Sequence, residues 1–587
     1  MALLLLAIPV SPWELDELLF LEALREYNPI AHHPPPPGYP LFILFGQLVR
    51  GVMASDFATL VAISVAASAI GFVMLALAFR NFSGDDATGV IGALLFYWSP
   101  AMLIHSTLPI SDPGGLALLA TALYFGSHAV TGSRGHAGLF ALFSALTVGW
   151  RMQLAIFVVP MFLAGIWRAG GTPARGGRDA RPPLIALVVF TLVCLAWLTP
   201  LAMAVGGVTE LIDFELGQGK YFAAHDAAES RTGWTPARIA FRFIGRAWGT
   251  EPMALVVLAL AAIGLVAILR RRLVAVVPLA VGASVYIAVA LWVMDPADGV
   301  RYALPFVLAT AFAAAVGAKT IAGRFAYAIP LLAAIAFLLY VRPLLQQRRI
   351  LPSPPVQAAT FARAILPENA VVLYEQPLAP HAHYYLGDYS PQRIDAGLAK
   401  FWNRPDVPLF LYADGATTQQ DGHVFRWSAS DVYTKLTRNH YRVASIIPLP
   451  PSRRFRIVRG VSAQEREPDG LEWRWLDSPA ELQLPNGVAR DLTLRLGLPP
   501  AAPLESNVVT IYVNGAVVTR VPITRDIPAS VTFPVPAGSP AIRLEAERTF
   551  IPAEVPSMRS GDRRRLAVEL QLLETADAVA AAKTPAS

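Results

Sequence analysis

Three carboxylates, three basic side chains and three histidines stand where this chain could do chemistry. Asp16 and Glu17 follow directly on the first apolar segment, and Asp112 precedes Pro113-Gly114 at the head of a later one. A carboxylate there can accept a proton or help to hold a metal ion. Arg151, Lys220 and Arg301 lie in turns and loops between apolar segments. An arginine in such a place can hold a phosphate through a two-pronged hydrogen bond. His32, His33 and His225 stand in the same set of loops. Each has a plainer reading. Asp16 and Glu17 complement a helix dipole. Ser111 or Asp112 caps a helix that has proline in its first turn. Arg151 snorkels to lipid headgroups, and the remainder decorate solvated loops. The sharper reading has Asp112 facing Asp16 across one mouth of the molecule.

The elements that must position these residues are membrane helices. Mean hydropathy is +0.47, and only 15% of the 587 residues are charged. A soluble chain of this length needs more polar surface. The apolar residues fall in blocks up to about residue 345, and the rest reads as soluble sequence. Eleven spans are expected, at about 1–11, 57–79, 88–106, 113–130, 137–150, 152–168, 184–206, 252–269, 273–294, 303–318 and 326–345. The first is too short, and its beginning is expected to precede Met1. It lacks the basic start and cleavage site of a signal peptide. Arg80, Arg134, Arg168, Arg175, Arg178, Arg181, Arg270, Arg271, Arg272, Lys319 and Arg324 all fall on one side. The positive-inside rule makes that side cytoplasmic. This accounts for the formal charge of +6 without nucleic acid. Loops 12–56, 107–112, 207–251 and 295–302, and everything after about 346, then lie on the opposite, outer side. The single cysteine, Cys194, excludes an intrachain disulfide.

The first outer loop begins with a helix from Glu14 to Tyr27, with Leu15, Leu18, Leu21 and Leu24 every three residues and Glu22 as a misfit in the stripe. It is read as lying on the membrane surface. His32, His33 and four prolines follow and exclude a regular helix, and a second apolar helix spans Tyr39 to Val52.

In order along the chain, Asp16-Glu17, His33-Pro34 through Tyr39-Pro40, Ser111-Asp112-Pro113, Trp150-Arg151 and Arg301-Tyr302-Ala303-Leu304-Pro305 resemble the C-type polytopic glycosyltransferases, over roughly residues 1–345. The nearest subgroups are the protein-mannosyltransferase-like and aminoarabinose-transferase-like enzymes. The resemblance implies a bundle of eleven to thirteen helices in a bacterial inner membrane. It implies a polyprenyl-phosphate-linked sugar as donor, and a glycan, lipid or protein as acceptor. It makes Asp16, beside Glu17, the base that deprotonates the acceptor. Asp112 becomes the second acidic position, assisting the first or helping to bind metal. Arg301 is implied at the donor phosphate, with Arg151 and Lys220 as further candidates. His32, His33 and His225 are implied as metal or phosphate contacts, so a divalent metal ion is a candidate cofactor. His-Pro stands where the aminoarabinose-transferase pattern has Glu-Lys-Pro-Pro. No nucleotide cofactor is expected, because the chain has no Gly-rich phosphate loop.

Residues 351–460 alternate helix-like and strand-like segments and read as a small α/β domain. Residues 462–575 read as strands around an Asn514-Gly515 hairpin turn, forming a β-sandwich of jelly-roll type. In it Trp473, Trp475 and Phe550 are core residues or sugar-stacking platforms. The tail 576–587 is Ala-rich and reads as disordered. Two other functions stand as alternatives to sugar transfer. A transporter or flippase would show internal repeats and mid-membrane charges, which this sequence lacks. A non-catalytic envelope-assembly scaffold would leave the outer carboxylates without purpose.

Overall fold

The computed structural model describes residues 5, 7–130, 135–170, 180–225, 234–417, 419, 421–427, 431–438, 441–466, 472–555 and 562–575. The first apolar segment therefore lies largely outside the described residues. So do Arg134, Arg175, Arg178 and the tail. Two compact units are found, Met1–Pro352 with Ala429–His440, and Ser353–Ser428 with Tyr441–Ser587.

The first unit is a helix bundle, and the chain is an integral membrane protein. Among the described residues seven helices are long and apolar enough to cross a membrane: Asp56–Ser83, Met152–Ala169, Arg181–Val205, Glu251–Arg271, Val274–Val293, Leu304–Phe325, and one that begins with Ala328–Ile350. Asp86–Tyr97 and His136–Trp150 are apolar but shorter. The seven long helices match expected spans, and the full count of eleven is not confirmed among the described residues. The stretch 88–106 is not one helix. It stops at Trp98 and restarts as Pro100–His105, with the Ser99 hydroxyl accepting from the Met102 amide at 3.3 Å. Pro100 disfavours helix at the residue before it and has no N–H to continue the ladder.

Helices Glu251–Arg271 and Leu304–Ala322 touch through glycine. A Cβ on Gly264 would fall 1.7 Å from the Ala313 carbonyl, and one on Gly317 would fall 1.9 Å from that of Leu260. Such contacts let membrane helices approach closely. Lys319 pairs with Asp85 at 3.5 Å, and the Asn81 amide donates to the Ser127 hydroxyl at 3.1 Å. These contacts gather the far ends of the helices that begin near Asp56, Asp112 and Leu304. Asp112 and Arg301 stand at the opposite ends.

The helix expected from Glu14 to Tyr27 is Leu15–Arg25. Its misfit Glu22 reaches His33 at 2.9 Å, and Tyr27 donates to the Gly38 carbonyl at 3.0 Å. The proline-rich turn is thus tied back to the helix before the next helix, Pro40–Arg50, begins.

Among the described residues the second unit holds two sheets. Strands β1 (Val371–Tyr374), β2 (Gln392–Arg393), β3 (Leu409–Asp414), β4 (His423–Arg426) and β5 (Val443–Pro448) are ordered β2-β1-β3-β5-β4. Pairing is parallel around β1 and antiparallel around β5. Strands β6 (Arg456–Arg466), β7 (Glu472–Gln483), β8 (Arg490–Gly497), β9 (Ser506–Val513), β10 (Ala516–Thr524), β11 (Ala529–Val535), β12 (Ala541–Ala546) and β13 (Val568–Thr575) form one antiparallel sheet. The expected β-sandwich is not confirmed, because the described strands run as one continuous sheet. The long strand β7 explains why: Arg474–Leu476 pairs with β13, while Ala480–Gln483 pairs with β12. One strand belongs to both halves, and the sheet curls until β10 meets β11. Asn514 and Gly515 take φ of 48° and 86° between β9 and β10, the two-residue hairpin geometry their types favour. Trp475 and Phe550 pack edge to face in the core, 5.9 Å apart, and Trp473 packs half-buried against it.

Candidate active site

Four charged side chains from four different turns meet at one end of the bundle. Asp16 comes from the first turn of the helix Leu15–Arg25. Asp112 opens the helix Asp112–Val130. Arg151 is the extended residue between helices His136–Trp150 and Ala155–Ala169. Arg301 sits in the short helix Gly299–Tyr302, just before Leu304–Ala322. Each stands where a helix begins or breaks, so its side chain leaves the apolar layer.

They form an alternating chain of charge. One oxygen of Asp112 accepts from Arg151 Nη1 at 2.7 Å and from Arg301 Nε at 3.0 Å. Arg301 Nη1 donates to Asp16 at 2.6 Å, and Arg151 Nη1 also donates to the Ser111 hydroxyl at 3.0 Å. Asp112, Arg151 and Arg301 are 3%, 5% and 9% exposed. Charges this buried must be paired. The helix-cap and snorkelling readings of Asp112 and Arg151 give way to this pairing. Trp150 donates to the Ser111 carbonyl at 3.1 Å. It lies so close that a Cβ on Gly114 would fall 2.4 Å from its ring, so the glycine is what lets the ring lie over the head of the Asp112 helix.

Arg301 Nη2 is buried without a hydrogen-bond partner among the described residues. The residue lines a cavity of about 100 Å³ together with Glu14, Asp16, His105, Asp298 and Arg438. Asp298 belongs to the turn Pro296–Asp298. Arg438 comes from a segment, 431–438, that follows some eighty residues of the second unit and packs with the bundle. Arg438 lies 3.5 Å from Asp295 and 3.8 Å from Asp298. Arg242, in a turn of π-helix, fastens the two pieces together. Its guanidinium donates to the carbonyls of Pro296 at 3.1 Å, Ala297 at 2.7 Å, Thr437 at 3.0 Å, and Lys435.

Burial sets the protonation of the surrounding carboxyls. It pushes Glu14 up to about 8, Glu17 up to about 7 and Asp298 up to about 6, because a buried carboxyl resists ionisation. Behind Asp16, Arg348 is buried with its guanidinium carbon 5.5 Å from the Trp13 ring and 5.6 Å from the Tyr433 ring. Glu14 lies 3.7 Å from it.

The structure therefore brings Asp16, Asp112, Arg151 and Arg301 together and leaves the other predicted residues elsewhere. Glu17 is fully buried and accepts from the Trp13 amide at 3.1 Å, so it braces the helix and does not line the cavity. His33 turns to Glu22, His32 is exposed in a left-handed conformation, and Lys220 is exposed on the helix Val208–His225. None of the three lines the cavity. The side chain of His225 lies outside the described residues. Among the described residues no three of His, Cys, Asp and Glu converge to hold a metal ion. Between Asp16 and Asp112 stands the Arg301 guanidinium, a cation where a bridging metal would sit, so these carboxylates do not fit a metal pair. Sequence reasoning missed Glu14, His105 and Arg438 as cavity residues. Arg438 carried no local signal, since only the chain's path brings it here.

No family model matches the sequence, and no curated protein does. Among solved structures, the chain is similar to ArnT from Cupriavidus metallidurans bound to undecaprenyl phosphate, at 12% identity over 76% of this chain and 96% of that one, TM-score 0.49. It is similar to the archaeal oligosaccharyltransferase AglB from Archaeoglobus fulgidus, in complex with an inhibitory peptide and a dolichol-phosphate, at 10% identity over 93% and 95%, TM-score 0.41. It is also similar to the arabinofuranosyltransferase AftD from Mycobacteria, at 12% identity over 97% of this chain and 58% of that one, TM-score 0.44. At these identities and TM-scores the likeness assigns no substrate or activity to the chain. ArnT, AglB and AftD are C-type polytopic membrane glycosyltransferases, the class its sequence motifs resemble.

Proposed function

We propose that this chain transfers a sugar from a polyprenyl-phosphate donor to an acceptor, at the bundle end that holds Asp16, Asp112 and Arg301. One observation carries the reading. A buried guanidinium is gripped by carboxylates on Asp16 and Asp112, yet among the described residues keeps one nitrogen without a partner beside a cavity. Asp16 and Asp112 aim Arg301, and Arg301 Nη2 is left to meet the donor phosphate. Arg151 completes the charge balance behind Asp112. A lipid-phosphate sugar already carries its leaving group. The protein then needs to hold the phosphate, align the acceptor and remove one proton. An apolar groove of about 410 Å³, lined by Tyr27, Leu41, Trp197 and Leu201, lies beside Pro40, next to the buried Tyr39. It suits the polyprenyl tail. The positive-inside pattern supports an outer-face location for this end and for the second unit, and the family resemblance supports a bacterial inner membrane.

The test is binding of undecaprenyl phosphate to the purified protein in nanodiscs, followed by native mass spectrometry. A hydrogen bond to a charged group contributes about 1.5–3 kcal/mol, so Arg301→Gln is expected to weaken binding about 10- to 100-fold. Equal binding by wild type and variant, or none by wild type, would refute the assignment.

A further inference from the structure

We propose that Asp298 is a further catalytic residue, the base that takes the acceptor's proton, with Asp16 and Asp112 serving as counter-ions of Arg301. The proposal rests on the glycosyl-transfer reading above. Its ground is the way the charges are shared out. Asp16 gives an oxygen to Arg301 at 2.6 Å, and one oxygen of Asp112 takes bonds from both Arg151 and Arg301. A proton placed on either would loosen Arg301 just when charge grows on the departing phosphate. Asp298 lines the same cavity. Among the described residues its one ion pair is the loose 3.8 Å contact with Arg438. It can take a proton without unfastening Arg301.

The surroundings fit a base that works near neutral pH. Burial raises Asp298, Arg301 and Arg438 lower it, and Asp16 and Asp295 raise it again, leaving it at about 6. Glu14, Arg242 and Tyr302 share its field. A base is most effective when it titrates close to the working pH. The step balances without another reactant. The acceptor hydroxyl gives its proton to the Asp298 carboxylate, and its oxygen bonds to the anomeric carbon. The bond from that carbon to the phosphate oxygen breaks, and its electron pair stays on the phosphate facing Arg301 Nη2.

The experiment uses membranes from a strain deleted for this chain, which hold the unused donor and acceptor. Purified full-length protein is added, and the initial rate of the missing glycan's formation is followed from about pH 5 to 8. Asp298→Asn is expected to lose on the order of 10²–10⁴-fold in kcat, with undecaprenyl phosphate binding unchanged, and Asp298→Glu to recover part of it. Arg438→Gln removes a cation that favours the Asp298 carboxylate, so the acidic limb of the profile should move to higher pH. That shift is decisive if Asp298→Asn fails to fold. Asp16→Asn should lower the rate, weaken binding of the phosphate and, because Asp16 raises Asp298, move the limb to lower pH, opposite to Arg438→Gln. An Asp298→Asn rate within about threefold of wild type, or an Arg438→Gln profile with an unmoved limb, would overturn this inference alone. A wild-type protein that forms no product would overturn the glycosyl-transfer reading and this inference with it.

Discussion

Replacing Asp112 by Asn tests whether the charge chain is the keystone of the bundle end. The carboxylate is 3% exposed and serves two arginines. After the change Arg301 still has Asp16 at 2.6 Å, but Arg151, 5% exposed, keeps only the Ser111 hydroxyl at 3.0 Å among the described residues. Removing one partner of a buried ion pair costs about 3–5 kcal/mol, because an uncompensated charge stays behind, whereas replacing both by apolar groups is near neutral. Asp112→Asn should therefore lose about 3–5 kcal/mol, and Asp112→Asn with Arg151→Met should recover most of that loss. Unfolding midpoints in mixed micelles of mild detergent and dodecyl sulfate give the comparison. A single variant costing less than about 1 kcal/mol, or a double variant no more stable than the single, would refute the reasoning.

Gly114→Ala drives a methyl into the Trp150 ring and should cost about 1–3 kcal/mol while displacing Asp112, read as lost thermal stability together with lost activity. Gly264→Ala meets backbone 1.7 Å away and should separate helices Glu251–Arg271 and Leu304–Ala322, seen as lower yield of folded protein in the membrane. Arg242→Lys keeps the charge but cannot serve four carbonyls, so protease cutting within 431–438 should rise. Native Glu14 holds its proton up to about pH 8, against 4.5 for an ordinary glutamate. The native state thus binds more protons than the unfolded chain between those values, and stability falls as pH rises through that window. Glu14→Gln should flatten the fall, measured as unfolding midpoint from pH 5 to about 9.

Asp16, Asp112, Arg151 and Arg301 were legible in the sequence because each interrupts or borders an apolar block, where a charge stands out. The hairpin at Asn514-Gly515 was legible because its two residue types tolerate positive φ. The histidines misled: His33 answers Glu22, the misfit of the helix stripe, and only folding of the proline turn brings the two together. The break at Trp98–Ser99 was hidden inside a continuous apolar run, since hydropathy does not register that Pro100 restarts the helix. Arg438 was out of reach, because no local pattern tells that 431–438 packs with the bundle and not with the sheet that flanks it in sequence. The curl of the large sheet hangs on β7 pairing with different strands at its two ends, a long-range fact.

The most direct measurement is the glycan and lipid-linked sugar profile of a strain deleted for this chain, complemented at equal membrane abundance by wild type or by Arg301→Gln. The account predicts that one glycan loses a sugar and its polyprenyl-phosphate-linked donor accumulates, that wild type restores both, and that Arg301→Gln restores neither. An unchanged profile in the deletion, or full restoration by Arg301→Gln, would contradict it.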